Sequence, residues 1–366
     1  MPGTIYRNSV EVSENAEAYT LSSYNKLASC VVDSEITAVP SLDYKTNDGI
    51  SLGSNGKIYC TPYSSSTNYR PFVITVTDSG LEYEMLSLSA VSPQYWRGVG
   101  VIPASNGKLY CIPHYDTRVI TIDEKTHAIA TAITGIVSGA YRGATLHPNG
   151  KIYCVPWGAS HVAIIDPSND TIDTTTISAP SDTLKFYSGV LAPNGKIYFT
   201  PSYRTYVGIL DVVAETLDTS TITVSAGDNK WCAGTLAHNG KIYCPPVDAT
   251  TVLIIDPSDD TAEETSITGI TGTTKYGDST LAPDGKIYCC PRNSTKVLII
   301  DPATDTAEET TLTGLSSDTE KHHCMVLAPD GKIYCPPNNG HDNVLIINPG
   351  MAKYPITPLL SPYLNG

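Results

Sequence analysis

Aromatic and basic side chains recur at one slot of this chain, ahead of a repeated Gly-Lys turn, and the chemistry they offer is stacking and ion pairing. Aligned on those turns, the slot holds Trp96, Tyr141, Phe186, Trp231, Tyr276 and His322, with Asn47 at its first occurrence. Lys185, Lys230, Lys275 and Lys321 precede it in the later copies, and Arg97 and Arg142 follow it in the earlier ones. A second, irregular set lies beyond each turn: Tyr63, His114, Tyr115, Trp157, Tyr203, Arg204, Arg292, Asn339 and His341. Aromatic faces stack on sugar rings and supply rigid contact area, while Lys and Arg bind carboxylates. The two sets predict a face that recognises a sugar, a peptide or an anionic group. A repeated aromatic can equally fill the gap between repeating units. The irregular set is then the better site candidate, because function collects in variable loops on a rigid frame.

Acid–base or metal chemistry would fall to the eight histidines. His114, His322, His323 and His341 are expected on the same face as the aromatics, and His147 and His238 on the opposite one. A lyase-like site at His322, His323 and His341 is conceivable, but no Glu accompanies them in register. No CxxC or HxxxH spacing marks a metal site, and no pattern implies a cofactor.

Ten cysteines divide into two groups. Cys60, Cys111, Cys154, Cys244, Cys289 and Cys335 share one slot, which Phe199 fills in the remaining copy. Equivalent positions in neighbouring units should lie beyond the ~7 Å reach of a disulfide, so these read as small buried hydrophobes. Cys30, Cys232, Cys290 and Cys324 fall outside the slot and are the candidates for a disulfide, within the chain or to a partner.

The elements that must position these groups are written in the repeat. The phrase Asn/Asp-Gly-Lys-Ile/Leu-Tyr-Cys/Phe recurs at Gly56, Gly107, Gly150, Gly195, Gly240, Gly285 and Gly331. A period of about 45 residues built from short strands predicts an all-β, seven-bladed β-propeller, with one four-stranded antiparallel blade per repeat. In the third copy, Asn149-Gly150 joins two strands, since both residues tolerate positive φ. His161–Ile165 is apolar on both faces, as a strand packed between blades should be. Asp166-Pro167-Ser168-Asn169-Asp170 is a second turn, read as a side-chain-capped turn over a calcium loop. Thr171–Ile177 alternates like an outer strand with one wet face.

The last repeat lacks a fourth strand, and Glu35–Val39 resembles the missing one. The two ends of the propeller are therefore expected to share the seventh blade. The domain reading is an N-terminal extension over 1–33, the propeller over 34–350 and a tail over 351–366.

The unit Gly285-Lys286-Ile287-Tyr288-Cys289-Cys290-Pro291 followed by Val297–Asp305 resembles the repeat of YVTN-type seven-bladed propellers, over about residues 40–350. That resemblance implies a fold shared by surface-layer, cell-surface and binding proteins, with lyases and lactonases among related propellers. The Cys after the repeated Tyr departs from the usual pattern, and no catalytic motif carries over.

Composition narrows the function classes. Charged residues are 16%, and the net charge of −14 disfavours nucleic acid, which needs a basic surface. No run approaches the ~20 apolar residues of a membrane span. Met1–Arg7 has no apolar core and does not read as a secretory signal, yet 23 Tyr against 3 Phe amid abundant Thr, Ser and Gly suits an exposed protein. An extracellular or virion surface reached without a signal is one reading, and the cytoplasm the other. Three functions stay open: a structural or assembly module on an extracellular particle such as a phage virion, a glycan- or protein-binding propeller, and a lyase or lactonase-like enzyme.

Overall fold

In the computed structural model the described residues are 33–38, 47–62, 71–87, 98–114, 116–310, 315–338, 341 and 343–350. Trp96, Arg97, Tyr63, Tyr115, Asn339 and Cys30, most of the expected N-terminal extension and the tail lie outside them.

Seven four-stranded antiparallel sheets make up the described residues, and in six of them the strands run in chain order from the inner strand outward. Inner strands of consecutive sheets touch, and that of blade 1 touches that of blade 7, so the sheets form a closed ring: a seven-bladed β-propeller. Asp33–Ala38 is the outer strand of blade 7, antiparallel to Asn343–Asn348 with Ile36 opposite Leu345. The ring is thus closed by chain-distant strands, as the sequence predicts.

The second and third strands supply the core. Ile152–Pro156 is buried throughout, and in His161–Asp166 the four central residues are buried. The six slot cysteines are buried among these apolar layers, and Phe199 takes the same place in blade 4.

The repeated phrase also joins the blades. Asn106, in the turn of blade 2, donates Nδ2 to the Pro167 carbonyl of blade 3 at 2.8 Å. Tyr110 donates its hydroxyl to Asp170, and Lys108 Nζ sits 2.7 Å from the same carboxylate. Asn194, Tyr198 and Lys196 repeat this joint on Pro257 and Asp260, and Asn239 and Tyr243 on Pro302 and Asp305. Asp170, Asp260 and Asp305 have φ of 55°, 55° and 51°, a left-handed conformation that Asp tolerates better than most residues and that presents the carboxylate to the neighbouring blade. The first Asp of each turn caps its own backbone: Asp166 Oδ1 accepts from Ser168 N at 3.0 Å and Asp256 Oδ1 from Ser258 N at 3.0 Å. These carboxylates are engaged as a capped turn requires.

Candidate functional site

The aromatic slot lies in the core. Tyr141 pairs with Pro156, Phe186 with Pro201, Trp231 with Pro246 and Tyr276 with Pro291, at the same end of each inner strand. Their exposures are 3%, 0%, 0% and 0%. Trp231 donates Nε1 to the Thr251 carbonyl at 2.9 Å, and Tyr276 donates its hydroxyl to Glu309 at 2.8 Å. Tyr141, Trp231 and Tyr276, expected on a ligand face, instead fill the gaps between blades. His322 follows them: it is buried, its Nδ1 is 3.1 Å from the Pro336 carbonyl, and burial pushes its pKa down to about 4. Strand pairing also corrects the alignment in blade 2. Gly98 lies opposite Pro113, so Gly98 rather than Trp96 occupies the slot.

The residues ahead of the slot explain this inward pitch. Leu184, Asn229, Thr274 and Glu320 have φ of 58°, 46°, 49° and 58°, which turns the chain sharply at each interblade loop. The following lysines are buried and cap carbonyls of these loops. Lys275 Nζ donates to the Ala249 and Gly272 carbonyls at 2.8 Å each, and Lys321 Nζ to the Asp318 carbonyl at 2.7 Å. These ammonium groups are tied to loop backbone.

Side chains alternate along a strand, so the residue after each slot aromatic points toward the axis. The residues at that position are Arg142, Tyr187, Cys232, Gly277 and His323; Arg142, Cys232 and His323 are among the sequence candidates, and Tyr187 and Gly277 are not. Arg142 packs its guanidinium against two rings, with Cζ 4.0 Å from the Tyr187 centroid and 4.8 Å from that of Trp157. His114 meets Trp157 edge-on at 5.9 Å, Tyr203 meets it at 6.1 Å, and His114 Nδ1 is 2.8 Å from the Tyr141 carbonyl. His114, Arg142, Trp157 and Tyr203 are thus brought together, with Tyr187 added. Trp157 is only 9% exposed, because these neighbours cover its ring; Arg142 and Tyr203 are the half-exposed members.

Tyr187 closes the axis beneath them. Its hydroxyl is 3.3 Å from the Gly277 carbonyl of blade 6 and 3.3 Å from His323 Nε2 of blade 7. Below lies Asp278, whose Oδ1 accepts from Ser279 N at 2.8 Å and Oδ2 from Met325 N at 3.3 Å. Protein surrounds its carboxyl, although the residue as a whole keeps intermediate exposure. Burial pushes its pKa up to about 7, the two backbone N–H groups pulling partly back.

Arg204, Arg292 and His341, also expected at the site, are struts. Arg204 pairs with Asp182 at 2.7 Å and Arg292 with Glu320 at 2.7 Å. His341 Nε2 is 3.0 Å from the Thr319 carbonyl. Cys232, Cys290 and Cys324 are buried, and burial raises the thiols of the first two; Cys232 and Cys324 lie in the segments that lead into inner strands, as expected, but are buried there. A disulfide to a partner through these three would require the blades to open. Among the described residues no three of His, Cys, Asp and Glu converge as a metal-ligand set.

Solved structures share this fold. Virginiamycin B lyase from Staphylococcus aureus superposes with a TM-score of 0.68 at 14% identity, covering 87% of this chain and 99% of its own. An extracellular domain assigned to a hybrid two-component system of B. thetaiotaomicron gives 0.62 at 10%, over 85% of this chain and 41% of that one. A protein from Bacteroides uniformis assigned as a 6-phosphogluconolactonase gives 0.56 at 12%, over 72% and 84%. At such identities the likeness is one of fold, and the fold hosts enzymes and extracellular sensor domains alike. No family model and no curated protein sequence matches the chain.

Proposed function

We propose that this chain is a non-enzymatic YVTN-type binding propeller carried on an extracellular particle, a phage virion surface being one such setting, and that it recognises a surface glycan. The observation that carries the reading is the cluster of Arg142, Trp157, Tyr187, Tyr203 and His114 at one end of the axis. It combines ring surface with a cation, the pairing that sugar sites use. Tyr203 and Arg142 are its accessible members, so the ligand would sit over the mouth. A composition rich in Thr, Ser and Tyr supports the extracellular setting. The lyase or lactonase-like alternative is less favoured by His322 and His341, each of which has one ring nitrogen against a backbone carbonyl.

The test is a screen of the purified protein against immobilised neutral and acidic polysaccharides, repeated with Tyr203→Ala. Binding lost in the variant supports the reading. Absence of binding to every polysaccharide, or binding indifferent to Tyr203, refutes it.

A further inference from the structure

The described residues include four arginines, and three have carboxylate partners. Arg118 pairs with Asp116 at 2.8 Å, and Arg204 and Arg292 pair with Asp182 and Glu320 at 2.7 Å each. Arg142 is the exception: among the described residues no carboxylate pairs with it, in a chain where 37 acidic residues outnumber 23 basic ones. Its contacts are with the rings of Tyr187 and Trp157, which consume none of the five N–H donors that a guanidinium presents in its plane. The rings instead restrict the side chain, so little freedom is left to lose when a planar anion arrives.

From this we infer that Arg142 is the receptor for the carboxylate of an acidic sugar, a uronic acid residue. The inference rests on the glycan-binding reading and specifies its ligand. A carboxylate matches the guanidinium fork in a bidentate pair. The buried Lys185, Lys230 and Lys275 do not compete for it, because their ammonium groups are bonded to loop carbonyls. Tyr203 meets Trp157 edge-on and is half-exposed, which places a ring beside the receptor for the sugar to lie against. A neutral sugar would leave the guanidinium without an anionic partner and forgo the strongest bond the site offers.

The probes are tri-galacturonate and its fully methyl-esterified form, titrated calorimetrically into the intact chain. The acid should bind about ten- to a hundredfold more tightly than the ester, the range expected for one charge-assisted hydrogen-bonded pair. Arg142→Gln should abolish that preference, bringing acid and ester to equal affinity, with Arg142→Lys intermediate. Equal binding of acid and ester to the unmodified protein, a comparison that needs no variant, overturns the inference while the glycan reading stands. A preference for the acid that survives Arg142→Gln overturns it too. Failure of both probes and of every immobilised polysaccharide overturns the inference and the glycan reading together.

Discussion

Tyr187 and His323 lie 136 residues apart, yet the Tyr187 hydroxyl is 3.3 Å from His323 Nε2 across the axis of the ring. Blades 4 and 7 face each other through the centre, so this contact spans the interior. One proton arrangement satisfies the hydroxyl: it donates to the Gly277 carbonyl and accepts from Nε2–H. Tyr187→Phe should lower stability by about 1 kcal/mol, the net worth of a buried hydrogen bond, and Tyr187→Ala by about 3–5 kcal/mol through the cavity left behind. Paired thermal unfolding curves check both values. Equal effects of the two substitutions would show that the hydroxyl, not the ring, does the closing.

Stability should fall as pH rises through neutrality because of Asp278. Its pKa is about 7 in the fold against an ordinary value of 3.8, so between those pH values the folded state holds a proton that the unfolded chain has lost. By linkage the folded state is favoured least above pH 7, by a few kcal/mol relative to pH 4. Asp278→Asn cannot ionise. The difference in unfolding free energy between variant and parent should therefore grow in the variant's favour from pH 5 to pH 8, whatever the constant effect of the substitution. A pH-independent difference would mean that the carboxyl is ordinary.

His322 works in the opposite direction. Its pKa of about 4 lies below the ordinary 6.5, so the unfolded chain takes up a proton first as pH drops. Stability from this group is intact above pH 6.5 and declines between pH 6.5 and 4. His322→Gln should flatten that part of the profile relative to the parent, as measured by urea unfolding at matched pH values.

The joint between blades gives a graded comparison. Tyr110→Phe removes the bond to Asp170, while the Tyr153 hydroxyl bonds Asn149 of its own hairpin at 2.9 Å. The first substitution should cost about 1.5–3 kcal/mol, as a hydrogen bond to a charged group does, and Tyr153→Phe about 1 kcal/mol. Denaturant midpoints of the two variants settle the order.

Gly277→Ala should be among the most damaging single changes. A Cβ there would meet the His323 carbonyl oxygen at 2.4 Å, a backbone atom that cannot step aside. A loss of more than about 3 kcal/mol, or failure to fold, is expected, and a soluble variant with an unchanged melting temperature would contradict this packing.

The blade was legible in the sequence because its signals are local. Asn149-Gly150 and Asp166-Pro167 specify turns without help from the rest of the chain, and the missing fourth strand of the last repeat points to Glu35–Val39, of which Glu35–Ala38 lies in the observed strand. The site was less legible. Trp231 in a repeated slot has the same spacing whether it packs between blades or faces a ligand, and only the sharp backbone turn at Asn229 decides. A tryptophan at Trp96 fits the aromatic pattern of the slot, whereas strand register gives the position to Gly98. Of the axial group only His323 carries a sequence signal, as a histidine; Tyr187 and Gly277 share no residue type with it and are brought together only when the ring closes.

Asp33–Ala38 emerges from the ribosome before any blade exists, and its partner Asn343–Asn348 is made some three hundred residues later. At a translation rate of roughly 5–20 residues per second, that strand waits on the order of 15–60 s with an unpaired edge. Six blades can form by local pairing in that interval, but the ring cannot. A chaperone that shields this one short segment would govern how much of the newly made chain reaches the closed state and how much joins the open edge of another copy.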